Sequence, residues 1–302
     1  MRTCILMNPK AGSAAQGATL REAVAGRADT IIRETRQPGE ARELAAAMLR
    51  AGYELIVAAG GDGTVNEVVN GLAAASAHAT LGIIPLGTGN DLARTLAIPS
   101  DPREALALLT RGPVRVIDLM TIESADATVY GINVAAGGFS GQVGEALTEE
   151  LKATWGPLAY LIGAARVLPD LTGYETTIAW EDGPPERVEA LNVVVANGRT
   201  VGGGIPVAPS ANPEDGRLDV VVVRYGSAVE LMGVAARLLA GNYLASERVF
   251  HRQVRRVRIT SRPGMWFNVD GELLTNEPVT ISVLPQALPV VVGPTYAPNP
   301  TV

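Results

Sequence analysis

Residues 1–120 alternate short apolar runs with segments of helical period, and that alternation limits the fold more than any other feature of the chain. Thr3–Met7, Leu55–Ala59 and Leu81–Pro85 read as buried strands, with Thr30–Glu34 a further strand beside them. Between them, Gln16–Arg27, Glu40–Ala51 and Val65–Ala75 read as helices, and Asp91–Leu96 starts another. In Glu40–Ala51, Leu44 and Met48 share one face while Arg42, Glu43 and Arg50 lie around the turn. Continuous apolar strands separated by helices specify a parallel sheet covered on both faces. After about residue 121 strand-like runs dominate: Val129–Val134, Thr176–Trp180, Ala190–Ala196, Leu218–Val223, Arg256–Thr260, Trp266–Val269 and Val279–Leu284. Asp182-Gly183 and Asp215-Gly216 punctuate them as turns, and apolar helices are expected at Leu158–Leu168 and about Ala228–Leu239. The expectation is an α/β N-terminal domain with a parallel sheet over 1–120, a β-rich, mainly antiparallel C-terminal domain over 121–293, and a flexible tail over 294–302.

Composition removes several classes. A net charge of −6 offers no general attraction to nucleic acid. One cysteine, Cys4, permits no intrachain disulfide, and with only His78 and His251 it cannot build a usual zinc cluster. No apolar run reaches the roughly 18 residues needed to cross a bilayer, so a cytoplasmic protein is expected. Only Lys10 and Lys152 are lysines, and neither stands in a Walker phosphate loop.

Chemistry concentrates in glycine turns. Glu54 to Glu67 runs from a buried strand through Gly60-Gly61-Asp62-Gly63-Thr64 into a helix, where Thr64 and Glu67 have the spacing of a capping box. Such a turn lets a backbone approach a ligand, and free N–H groups at the helix start favour phosphate. Taken alone, it is either a phosphate cradle or a well-capped tight turn. Asp62 would repel phosphate unless a metal ion or a network of donors intervenes. A second strand–glycine–helix turn, Gly87-Thr88-Gly89-Asn90-Asp91-Leu92, follows. Both turns, and Asn8 to Ser13, should open on the carboxyl edge of one parallel sheet.

Gly60-Gly61-Asp62-Gly63-Thr64 with Asn66-Glu67 resembles the phosphate loop of diacylglycerol-kinase-like, sphingosine-kinase-like and NAD kinases. Gly87 to Arg94 and Asn8-Pro9-x-x-Gly12 are similar to the lipid-kinase branch. So are Ala196-Asn197-Gly198, Gly202-Gly203-Gly204, Val207-Ala208-Pro209, Asp215 to Asp219 and Asp270-Gly271-Glu272. Spread over nearly the whole chain, they resemble the bacterial diacylglycerol-kinase-like lipid kinases.

That resemblance implies an ATP- and Mg²⁺-dependent lipid kinase. It assigns Asn8, Thr35, Gly61, Asp62, Gly63, Thr64, Val65, Asn66, Glu67 and Thr88 to the nucleotide. Glu272 becomes the general base, with Asp62 acting through magnesium or an ordered polar network; taken alone, Asp270-Gly271 before Glu272 is simply a hairpin turn. Asn212, Asp215 and Arg217 would hold a structural magnesium, Asp215 by its carboxylate and the others by backbone carbonyls. Ser13 stands where many relatives carry a basic residue; either Lys10 supplies that charge from a shifted position or it is absent. The implied acceptor is a lipid alcohol such as diacylglycerol, met peripherally at the inner membrane surface, with a homodimer as a family-level expectation. NAD kinase and a non-catalytic nucleotide or lipid sensor are the alternatives. The arginines among residues 252–262 read as a solvated strand face or a patch for anionic headgroups, and Trp155–Ile162 as packing or part of a lipid groove.

Overall fold

The computed structural model describes residues 1–75, 79–139 and 173–300. The expectations for His78, Lys152, Trp155–Ile162 and Leu158–Leu168 lie outside those residues.

Strands β1 (Thr3–Met7), β2 (Thr30–Glu34), β3 (Leu55–Gly60) and β4 (Thr80–Pro85) form a parallel sheet in the order β4-β3-β1-β2. β1 and β3 are buried along their whole length, as apolar strands covered on both faces must be. Helices α2 (Glu40–Arg50) and α3 (Asp62–Ala74) pack together, and α1 (Ala14–Val24) packs on α5 (Pro102–Arg111). A short α4 (Asp91–Thr95) follows β4. Cys4 is buried in β1, which pushes its thiol up to about 11.

The rest is β-rich and almost wholly antiparallel. It comprises β5 (Val114–Glu123), β6 (Thr128–Gly131), β7 (Val134–Gly138), β8 (Tyr174–Trp180) and β9 (Glu186–Ala196). A small hairpin of β10 (Thr200–Val201) and β11 (Ile205–Pro206) follows, then β12 (Leu218–Arg224), helix α6 (Ala228–Leu239) and β13 (Val249–Val254). β14 (Arg256–Arg262), β15 (Phe267–Val269), β16 (Glu272–Thr275) and β17 (Val279–Val291) complete the chain. Arg256 and Arg258 are exposed while Val257 and Ile259 are buried, the alternation expected of a strand with one solvated face.

Two departures from the sequence expectations carry physical reasons. The strand expected over Val129–Val134 is broken into β6 and β7, because the Ile132 and Asn133 amides turn onto the Asp270 carboxylate. The apolar periodicity also missed β5 and placed the end of β17 too early. Both strands pass through two cores: Ile117 and Leu119 lie in the first with Leu288 and Val290, and Met120 and Ile122 in the second with Val279 and Ile281. β17 pairs antiparallel with β5 and β14, and at Val290 it lies parallel to Leu81 of β4. The described tail is pinned: Arg199 donates to the carbonyls of Ala297 (2.6 Å) and Pro298 (2.9 Å), and Asn212 donates to Asn299 (3.0 Å).

Candidate active site

The loops after β1, β3 and β4 share the carboxyl edge of the parallel sheet. The first two flank the point where the strand order reverses, the usual place for a ligand in an open α/β sheet. The loops touch through glycines. A Cβ on Gly87 would stand 2.5 Å from the Gly61 Cα, and one on Gly12 2.5 Å from the Leu86 carbonyl oxygen. A Cβ on Gly63, by contrast, would meet nothing within 4 Å.

Gly61 caps α3 by backbone alone, and among the described residues no side chain takes the N–H groups of its first turn. They are available to an anion. The expected capping box does not form. With Gly61 as N-cap, Thr64 lies inside the first turn, and Glu67, a turn further on, reaches across to α2. There its carboxylate accepts the Gly39 amide at 2.8 Å and the Ala41 amide at 3.0 Å. Gly39, the N-cap of α2, has no side chain to do this itself.

Asp62 shows what lets a carboxylate sit in such a turn. It accepts the Asp91 amide at 2.8 Å and also the Leu92 amide, so it caps α4. Burial, followed by the charge of Asp91, holds its pKa at about 6. Asp91 in turn accepts the amides of Gly203 (2.9 Å) and Gly204 (2.8 Å), which ties the triglycine loop of the β-rich part to the glycine edge.

Asn8 stands at the start of the first loop, its side chain accepting the Lys10 amide at 3.0 Å. Lys10 and the buried Thr35 line one groove of about 430 Å³ with Pro9, Ile32, Arg33, Glu34 and Arg36. Thr88 is exposed on the third loop. Thr64, Val65 and Asn66 are buried along α3.

Asp270 and Gly271 form the turn of the β15–β16 hairpin. Their φ angles of 49° and 98° are the paired left-handed values of a type I′ turn, as Asp-Gly suggested. The Asp270 carboxylate is buried and accepts four bonds: the Ile132 (2.8 Å), Asn133 (3.0 Å) and Val134 (2.8 Å) amides and the Asn66 side chain (2.9 Å). Glu272 follows at the start of β16. Although the residue is open to solvent, partial desolvation raises its carboxyl pKa above the usual glutamate range; Glu67 and Asp270 push it the same way and Arg42 opposes. The hairpin, α3 and α2 thus bring Glu272, Asp270, Glu67 and Arg42 into one charge cluster.

Asn212, Asp215 and Arg217 form a separate loop before β12. Asp215 accepts the Arg217 amide at 2.9 Å, and Asn212 accepts the Glu214 amide at 3.0 Å. Asp118 of β5 accepts the amides of Gly216 and Gln286, each at 2.7 Å. Burial raises the Asp215 pKa, with Asp219 and Asp118 adding. No three acidic, histidine or cysteine side chains converge as a metal cluster among the described residues.

The structural roles of Asp91, Asp118 and Asp270 escaped the sequence reading. Asp118 carried a usable signal, a lone carboxylate within the apolar run Val116-Ile117-Asp118-Leu119-Met120. Asp270 carried only its turn signature, which said nothing of the amides it gathers.

Comparison with known proteins agrees with this architecture. Residues 2–122 match the family model described as diacylglycerol kinase catalytic domain, and residues 133–292 the YegS C-terminal NAD kinase beta sandwich-like domain. The chain is 34% identical over 245 residues to a diacylglycerol kinase of Bacillus subtilis (strain 168), covering 81% of this chain and 79% of that one. It is 32% identical over 276 residues to a diacylglycerol kinase of Staphylococcus saprophyticus subsp. saprophyticus, covering 90% and 88%. A solved structure of a candidate diacylglycerol kinase from Bacillus anthracis str. Sterne superposes with a TM-score of 0.82 at 27% identity, covering 98% of each chain. The chain therefore belongs to the family of lipid kinases that carry the diacylglycerol kinase catalytic domain.

Proposed function

We propose that the protein transfers the γ-phosphate of ATP to the hydroxyl of a lipid alcohol, diacylglycerol first among the acceptors, with Glu272 as general base. The observation that carries this reading is the position of Glu272. It stands on a hairpin turn bonded to the same helix whose free first-turn amides face the glycine edge. The acceptor oxygen bonds to the γ-phosphorus in line as the bond to the β-phosphate oxygen breaks, and the hydroxyl proton passes to Glu272. A carboxylate with a raised pKa is the stronger base for that proton. Asn8, Thr35, Gly61, Asp62, Gly63, Thr64, Val65 and Thr88 serve the nucleotide, with the first-turn amides of α3 as the phosphate donors.

Mg²⁺ fits the loop of Asn212, Asp215 and Arg217 through one carboxylate and main-chain carbonyls. The charges of Asp219 and Asp118 beside Asp215 would favour a divalent cation there. Bound magnesium would order this loop. The lipid acceptor would be met at a bilayer surface; no helix among the described residues is long and apolar enough to cross a membrane. The test is ATP-dependent phosphorylation of diacylglycerol, sphingoid bases, phosphatidylglycerol and polyprenols, beside Glu272→Gln. Absence of product from every acceptor, or full turnover by the variant, refutes the reading.

A further inference from the structure

The side chain of Asn66 is already committed. Its amide group donates to the Asp270 carboxylate at 2.9 Å and to the Tyr130 carbonyl at 3.4 Å, and its oxygen accepts from Asn70 at 3.1 Å. Asn70 also donates to the Tyr130 carbonyl at 2.8 Å and accepts the Tyr130 amide at 3.0 Å. Asn66 is 6% exposed and Asp270 7%. No donor of Asn66 is left for a phosphate, although it lies only one turn beyond the phosphate-facing amides of α3.

Asp270 has the complementary geometry. One of its oxygens takes the Ile132 amide and Asn66, and the other takes Asn133 and Val134. Its own amide donates to the Val134 carbonyl at 2.9 Å, so the turn is held from both sides. Asn66 thus bonds the helix that begins at the phosphate loop to the residue two before Glu272.

We propose that Asn66 and Asp270 are a positioning pair: they fix Glu272 relative to the start of α3, and Asn66 serves the acceptor side of the reaction and not the nucleotide. The inference rests on Glu272 being the general base. In-line transfer needs the base, the acceptor oxygen and the γ-phosphorus in register, and a displacement of about 1 Å in such an arrangement costs on the order of a hundredfold in rate. The nucleotide is held at the amide end of α3 and the base rides on the hairpin. Among the described residues, the Asn66–Asp270 bond is the direct side-chain link between those two elements.

The experiment is steady-state kinetics of Asn66→Ala with ATP and vesicle-dispersed diacylglycerol, well below the melting temperature of the variant. Expected is a fall in kcat of about ten- to a hundredfold with the KM for ATP changed less than about twofold. A raised KM for ATP with kcat retained overturns the proposal and returns Asn66 to the nucleotide. Both constants unchanged overturns it too. Asp270→Asn, where it folds, adds a readout that lost packing alone does not produce. The groups facing Glu272 are Glu67 from α3, Arg42 from α2 and Asp270, so removing the Asp270 charge moves the acid limb of the kcat/KM profile to lower pH. A limb that stays in place counts against the pair. Glu272→Gln separates the two levels. If it stays active, the base assignment falls and this inference with it. If it is inactive while Asn66→Ala changes only the KM for ATP, only the positioning pair falls.

Discussion

The Asp62 carboxylate accepts the Asp91 amide at 2.8 Å, so the glycine loop after β3 caps the helix that follows β4. The charge that looked hostile to phosphate is spent on a helix terminus. Its neighbour Asp91 does the same for the triglycine loop, and Asp270 for the turn between β6 and β7. Each buried carboxylate on this edge is answered by backbone amides from another segment.

Asp62 should make stability depend on pH. Its native pKa of about 6 lies above the value of about 3.9 in an unfolded chain. Below pH about 4 both states hold the proton; between the two values only the native state does; above about 6 the native state carries a desolvated charge. Its contribution is therefore complete in acid and lost as pH rises through 6. Asp62→Asn has no such loss, so from pH 4 to 8 the wild type should weaken relative to the variant by up to about 3 kcal/mol. Urea unfolding of both proteins across that range decides it, and a flat difference refutes it.

Glu67 should act on α2 and on Glu272 together. Glu67→Gln keeps one acceptor for α2 and should cost about 1 kcal/mol of stability. Because Glu67 raises the Glu272 pKa and Arg42 lowers it, the acid limb of kcat/KM should move down in Glu67→Gln and up in Arg42→Ala. Shifts of the same sign in both variants would disprove the charge cluster.

Gly63 and Gly87 should separate folding from binding. Gly87→Ala drives a methyl group against Gly61 and should lower the melting temperature, at a cost of about 1–3 kcal/mol. Gly63→Ala finds open space and a helical backbone, so its stability should match or exceed the wild type. Its ATP affinity should still fall by about tenfold, since the added methyl stands beside the amides proposed to hold the phosphates. Calorimetric titration with ATP that shows no loss in Gly63→Ala would move the phosphates elsewhere.

Magnesium should stabilise the folded protein through the loop of Asp215. A Tm rise in millimolar Mg²⁺ that disappears in Asp215→Asn is expected, because a ligand that binds only the native state shifts unfolding by mass action. An undiminished rise in the variant would place the metal outside this loop.

The parallel half of the fold was legible because each strand announces itself by continuous burial and each loop by glycine. Leu55–Ala59 and Leu81–Pro85 were found to within a residue at either end. Local periodicity was blind to partners distant in sequence. Thr64-x-x-Glu67 has the spacing of a capping box, yet Glu67 caps a different helix, 28 residues away at Gly39. Val129–Val134 has strand composition, yet Asp270 bends it from 138 residues away at Ile132. Asn66 sits in a motif that points to the nucleotide, while its contacts point to the hairpin. The motif located the edge where the loops meet, and only tertiary contacts assigned each side chain a partner.

The last strand has a consequence for biosynthesis. β17 starts in the second core and ends in the first, where Leu288, Val290, Val291 and Val292 pack with residues from the start of the chain. On the ribosome, the α/β layer is made first yet lacks a wall until residue 292 has emerged. The edge of β4 waits meanwhile without its last neighbour, so the early half is exposed to mispairing throughout translation. A gene fragment ending after α5 should for that reason yield aggregated product, although it encodes every glycine loop of the carboxyl edge.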